Sequence, residues 1–323
     1  MSADVAVKSR AGLGDVAALL RPTQWIKNVV VFAAPAASLK LFSPESVYQA
    51  LAAFVAFCLA ASATYCMNDT LDRRADALHP IKKDRPIARG AISPATAVAL
   101  ALLLLAGSIG LTLVALPGGV TAVIATYFVM QILYSSALKK RIILDVIIIA
   151  TGFVLRAWAG SLAVGVPASE WLIACMFTLC LFMGFGKRRC EVAMMASAED
   201  ARQHRKVLVR YTPDLLTHLI TVSAGIAIIT FLLYTLDTNI KAPFHKEHLF
   251  YTLPIVVYGV FRFAMLTEVG LYTGPTEIVL RDRAMLLAIV LWAVAAMVVA
   301  YQNVLFGAGG IPGLLDGIGT QVA

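Results

Sequence analysis

Residues 90–138 contain no charged side chain. That run is more than twice the ~20 apolar residues that one helix needs to cross a bilayer core. "LPGGV" at 116–120 supplies a turn where the run divides into two crossings. The same pattern recurs along the chain. Nine candidate spans fall at about 24–42, 46–67, 92–115, 119–138, 142–164, 169–187, 215–236, 249–267 and 284–305. Lys27 and Pro35 interrupt the first of them, and Lys27 can snorkel to an interface. A chain that is 60% hydrophobic and only 14% charged has no soluble way to hide its apolar surface. Helices satisfy their own backbone hydrogen bonds in lipid, whereas a membrane β-barrel would show short alternating segments. The expected fold is therefore all-α: a polytopic membrane protein with nine transmembrane helices.

The net charge of +8 would suit a nucleic-acid partner, but its placement argues otherwise. All basic residues except Lys40, Arg156, Lys241 and Lys246 fall on the N-terminal segment or near alternate loops. By the positive-inside rule, those loops and the N-terminus are cytoplasmic. An odd number of crossings then puts the C-terminus outside. The charge reads as membrane topology, with the bilayer as partner and no nucleic acid. Residues 1–22 read as a cytoplasmic segment without a signal peptide, 23–306 as the membrane domain, and 307–323 as a non-cytoplasmic tail. Five cysteines without metal-ligand spacing read as small packing residues, and the histidines show no ligand spacing. A homo-oligomer is compatible with these features.

Against this oily background, "NDTLDRRADALHPIKKDRP" at 68–86 carries four aspartates and five basic residues. On a helix continuing from the second span, Asp69, Asp72 and Asp76 are spaced i, i+3, i+7 and share one face. Three carboxylates converging at a membrane edge repel one another unless a cation sits among them. Mg²⁺ suits such oxygen ligands and shares its shell with substrate phosphates. The alternative is a solvated loop in which the acids pair with Arg73, Arg74, Lys82 and Lys83. That accounts for the charge but not for the one-sided spacing. Lys82, Lys83, Arg85 and Arg89 follow as further phosphate-binding candidates, or as ordinary positive-inside flanks.

The order N-D-x-x-D-x-x-x-D and then R-P-x-x-x-G resembles the first aspartate-rich motif of the UbiA superfamily of intramembrane prenyltransferases. "LRPTQWIKN" (20–28), "LKKRIILD" (138–145), "GKRRCEV" (186–192) and "PTEIVLRDR" (275–283) narrow the likeness to one branch, the polyprenyl-phosphate phosphoribosyltransferases. The resemblance covers about residues 20–305. It implies a nine-helix bundle with its active site at the cytoplasmic side of the cell's inner membrane. The implied activity is Mg²⁺-dependent transfer of 5-phosphoribosyl from phosphoribosyl diphosphate to a polyprenyl phosphate, decaprenyl phosphate in the best-known members. Diphosphate is released, and the product serves arabinan synthesis in the cell envelope. The alternative within the superfamily is transfer of an isoprenoid from its diphosphate to an aromatic or quinone precursor.

One departure separates the two readings. Prenyltransferases of this superfamily carry a second aspartate-rich motif after the sixth span. Here that place reads "GFGKRRCEVAMMASAED", with Lys187, Arg188, Arg189 and Glu191 and no D-x-x-x-D. Basic residues bind phosphate rather than Mg²⁺, which suits a phosphorylated sugar donor. The alternative for 187–189 is a cytoplasmic stop signal. The expected catalytic residues are Asp69, Asp72 and Lys187, and the expected metal ligands are Asp69, Asp72 and Asp76. Substrate binding is expected from Lys27, Asn68, Lys82, Arg85, Tyr134, Lys139, Arg141, Asp145, Lys187, Arg188, Arg189 and Glu191. Arg281 and Asp282 either close the site from the last charged loop or pair across it, and pairing is the favoured expectation. Arg156, deep in the fifth span, is expected to be neutralised by Glu170 or Asp237.

Overall fold

A computed structural model of the protein describes residues 12–40, 43–79, 82–196, 210–237 and 246–305. The expected tail at 307–323 and the first eleven residues lie outside the described residues. Among the described residues every regular element is helical. In chain order they are α1 (Leu13–Leu20), a 3-10 stretch (Pro22–Phe32), α2 (Ala33–Ala37), α3 (Pro44–Leu71) and α4 (Arg73–Ala77). There follow α5 (Pro94–Ala115), α6 (Gly118–Ser136), α7 (Leu144–Ala163), α8 (Glu170–Ala196), α9 (Pro213–Leu236) and α10 (Leu253–Val269). The last two are α11 (Pro275–Arg281) and α12 (Arg283–Leu305).

The helix starts follow from local chemistry. Proline occupies the first turn of α3, α5, α9, α10 and α11, where its missing N–H costs nothing. Ser93 and Thr212 cap α5 and α9 by accepting the backbone N–H of Thr96 and Leu215.

Eight segments among the described residues are long and apolar enough to cross a bilayer: α3, α5, α6, α7, α8, α9, Glu247–Val269 and α12. The ninth expected span, at 24–42, is built differently. It is the 3-10 stretch followed by α2, and together they extend about 30 Å at their usual rises. The polar run Gln24, Lys27 and Asn28, with Pro35 beyond it, interrupts a continuous α-helix.

The described residues up to 166, apart from 37–39, form one compact unit, and the remainder form a second. In the first unit α3 and α7 are central: 67% and 61% of their spans are buried, against 22% for α5. Small residues make that possible, because without a hydrophobic drive between helices in lipid, backbones must approach closely. Ala53, Ala56, Ala60 and Ala159 pack with Phe57, Ile124 and Tyr127 in one core cluster. Gly160 lets the 3-10 stretch touch α7; a Cβ there would land on the Val31 carbonyl oxygen.

Arg156 lies within this packing, 6% exposed. It donates to Asn28 Oδ1 (2.7 Å), the Gly152 carbonyl (2.7 Å) and the Tyr127 hydroxyl (2.9 Å). The Phe57, Tyr127 and Phe153 rings lie around its guanidinium. Within this unit neutral oxygens and ring faces satisfy the charge; Glu170 and Asp237, the expected counter-ions, belong to the second unit.

In the second unit α8 packs along α9, with Thr178 and Thr230 hydroxyls 3.3 Å apart. The Phe182 and Phe263 rings join α8 to α10 at a centroid separation of 5.0 Å. Only 11% of the α12 span is buried, which leaves an apolar face for lipid.

Candidate functional site

Asp69 occupies the last full turn of α3, and its side chain is 2% exposed. The helix is interrupted at Asp72, whose backbone (φ −88°, ψ 0°) lies in the bridge region, and α4 resumes at Arg73. The expected single helical face is therefore corrected. Asp69 and Asp76 turn inward together, while Asp72 stands at the break with 28% of its side chain exposed.

The acids do not pair with their sequence neighbours Arg73, Arg74, Lys82 or Lys83 in the way a plain charged loop would. Each receives a base from farther along the chain. Arg85 Nη1 lies 3.0 Å from Asp69 and 2.7 Å from Asp76, bridging them. Arg21 Nη2 donates to both Asp69 oxygens at 2.7 Å. Lys139 forms an ion pair with Asp72. Asn68 Nδ2 is 3.5 Å from Asp69.

Local folding explains how these bases arrive. In "RPIARG", Pro86 and Ile87 are buried, and Ile87 anchors a cluster with Leu19, Ala63, Cys66 and Ala97. Gly90 takes φ +81°, a conformation that favours glycine, and the turn closes with the Ile92 N–H on the Pro86 carbonyl. Arg85 is thereby held against α3. Lys139 sits in the 3-10 turn Leu138–Lys140 after α6. A γ-turn centred on Ile143 (φ +66°) then reverses the chain into α7, with the Leu144 N–H 2.7 Å from the Ile142 carbonyl. Positive φ at a β-branched residue is strained, and such strain concentrates near functional sites. It delivers Asp145, 1% exposed, into the first turn of α7, where the helix dipole favours an acid.

Of the other expected residues in this unit, Lys27 is exposed on the 3-10 stretch and Arg141 is exposed before α7. Tyr134 is half-buried on α6, and Lys82 is half-buried in the turn before Arg85. Arg21 is the residue that sequence reasoning undervalued: it was counted only as a topological charge. The available signal was its place in "LRPTQWIKN", directly before Pro22.

The second unit holds the basic group. Arg188 on α8 is buried and lies 2.5 Å from Glu191, while exposed Lys187 is 3.9 Å from the same carboxylate. Arg189 pairs with Glu268 of α10 at 2.9 Å, and Thr217 of α9 donates to that glutamate at 2.8 Å. Glu268 was not expected, since a lone acid closing an apolar span gives no pattern. Residues 197–209 of the second charged loop lie outside the described residues. At the last loop Arg281 pairs with Glu277 rather than with Asp282. Asp282 instead takes Arg262 (2.8 Å) and accepts the Met285 N–H. The Arg262 fork holds the Asp282 carboxyl below its ordinary pKa. The Thr273 N–H and hydroxyl do the same for Glu277, with Arg281 adding to the effect.

Among the described residues no three acidic, histidine or cysteine side chains stand together as a complete metal site. The donor set of the first unit still fits a shared cation. Asp69 and Asp76 already reach one nitrogen of Arg85, so a single positive centre bridges both. Mg²⁺ commonly completes such a shell with water and substrate phosphates.

Residues 29–269 match the UbiA prenyltransferase family. The chain is 32% identical over 294 residues to the decaprenyl-phosphate phosphoribosyltransferase of Corynebacterium glutamicum, covering 89% of this chain and 87% of that one. It is 33% identical over 303 residues to the enzyme of that name from Mycobacterium tuberculosis, covering 90% and 96%. Its fold is similar to that of a UbiA homolog from Archaeoglobus fulgidus bound to DMAPP and Mg²⁺. The TM-score is 0.67 at 17% identity, over 88% of this chain and 99% of that one.

Proposed function

Starting from the premise that this chain belongs to the UbiA prenyltransferase family and is an integral membrane protein, we propose that it transfers 5-phosphoribosyl from phosphoribosyl diphosphate to decaprenyl or a similar polyprenyl phosphate. The relatives' names support that donor and acceptor. The observation that carries the sugar-donor reading is Arg188. It is a buried guanidinium in the stretch where a prenyl-diphosphate enzyme of this family would carry a second acidic motif. A buried cation there suits a phosphate and opposes a metal ion.

The roles follow from charge and reach. Asp69, Asp72 and Asp76 would hold Mg²⁺, which when bound neutralises charge on the departing diphosphate. Arg85 and Lys139 would donate to its phosphate oxygens, and Lys187, Arg188 and Arg189 are the phosphate-binding groups that the second unit offers. The lipid phosphate is anionic at neutral pH and attacks the anomeric carbon. A carbon–oxygen bond to the lipid forms as the one to diphosphate breaks, and no general base is required. Positioning and electrostatic stabilisation carry the rate. The charged ends lie at the cytoplasmic face of the inner membrane, and the lipid product feeds arabinan assembly in the cell envelope.

Membranes holding the protein, incubated with Mg²⁺, labelled phosphoribosyl diphosphate and decaprenyl phosphate, should yield a labelled lipid. Absence of that lipid, with label instead moving from a prenyl diphosphate to an aromatic acid, would reverse the assignment.

A further inference from the structure

We propose that Arg21 is an exchangeable counter-ion that makes metal binding at Asp69 conditional on the diphosphate. The inference rests on the metal-dependent reading above and adds a residue to it. Three acids face three bases: Asp69, Asp72 and Asp76 against Arg21, Arg85 and Lys139. Asp69 is the most heavily engaged of the acids. Arg21 Nη2 contacts both its oxygens, and Arg85 shares one of them.

A divalent ion arriving alone must displace one guanidinium and then sit beside the other, in a site only 2% exposed at the acid. That repulsion is poorly screened. A diphosphate arriving with the ion brings acceptors for the displaced groups, so each ligand favours the other, and by linkage the coupling is reciprocal.

Geometry singles out Arg21 as the group that moves. Its backbone is pinned on α3: the Ser62 hydroxyl donates to the Leu20 carbonyl (2.9 Å) and accepts the Trp25 indole N–H (3.0 Å). Arg21 itself holds φ +54°, outside the usual range for a non-glycine residue. Only the side chain is left to swing. It is 23% exposed, and its guanidinium already lies 5.0 Å from the centroid of the Tyr65 ring, one helical turn before Asp69. Releasing Asp69 therefore leaves the cation seated on the aromatic face with its N–H groups open to phosphate.

The test titrates Mn²⁺ into the full-length detergent-solubilised protein by electron paramagnetic resonance, with and without inorganic diphosphate. Wild-type protein should bind Mn²⁺ weakly alone and about tenfold more tightly with diphosphate, a coupling of ordinary size. Arg21→Gln should bind Mn²⁺ alone about tenfold more tightly and lose most of the diphosphate effect, whereas Arg21→Lys should stay near wild type. An Arg21→Gln protein, folded by its melting curve, with unchanged metal-alone affinity and unchanged coupling would overturn the proposal. Inorganic diphosphate is common to sugar and prenyl donors, so the result does not depend on which donor is used. No Mn²⁺ binding to wild type even with diphosphate would remove the metal reading itself, and this inference with it.

Discussion

The two charged clusters are built with opposite polarity. At the end of α3 Asp69 and Asp76 are buried and their arginine partners lie farther out: Asp69 is 2% exposed, and its partner Arg21 is 23%. On α8 the base is buried: Arg188 is 5% exposed against 23% for Glu191. The sign of the buried partner tells what each cluster is organised to meet, because the buried charge loses most hydration and most needs an ordered counterpart. On the function proposed above, the first cluster would hold a cation and the second would meet an anion. A ranking by net charge would miss this, since both clusters contain mixed charges along the chain.

The first of three expected outcomes tests that inversion directly, and the other two compare packing and pairing elsewhere in the two units. The largest concerns the buried members. Asp69→Asn should lower turnover at least about 100-fold, and added Mg²⁺ should not restore it. Arg188→Gln should chiefly raise the KM for phosphoribosyl diphosphate, roughly tenfold to 100-fold, as loss of a charged hydrogen bond to phosphate would. Steady-state kinetics on purified protein separate the two, and equal effects on metal dependence would break the contrast.

A smaller difference is expected in packing. Gly160→Ala sets a Cβ against the Val31 carbonyl, which is backbone and cannot rotate away, so a loss of about 1–3 kcal/mol is expected. Gly186→Ala meets the edge of the Phe263 ring at 2.7 Å, a side chain that can shift, so its melting temperature in detergent should fall less. The reverse order would mean that the first unit is the more deformable.

The smallest effect is electrostatic and lies in the last loop. The Asp282 carboxyl is held below its ordinary pKa by Arg262, so its folded form favours the charged state. Its contribution is present above the unfolded value of about 4 and is lost as pH falls through the lower folded value. Asp282→Asn should therefore flatten the acid limb of the melting-temperature profile and leave the neutral limb's slope unchanged.

Hydropathy made the fold class legible because one-dimensional runs suffice for it: a helix in lipid satisfies its own backbone whatever its neighbours do. The 24–42 segment shows the limit. Its length suggested one more helix, but Asn28 turns inward to Arg156 and Gly160 admits its backbone, so its conformation answers to α7. The acids Asp69, Asp72 and Asp76 were legible because short spacing marks them. Arg21 and Glu268 were not, because each acts on a partner dozens of residues away. The neutral cage around Arg156 was equally hidden, since no local pattern predicts three rings and three oxygens converging there.

Sequence alone thus determined a helical membrane protein with an aspartate-rich stretch following one apolar span and a basic run near the end of another. These features depend on composition and on spacing within a few helical turns. Only the tertiary structure decided that the helix breaks at Asp72, that Asp69 and Asp76 share Arg85, and that Arg21 closes on Asp69. Ion pairs form where the fold brings charges within a few ångströms, and separation along the chain does not measure that distance.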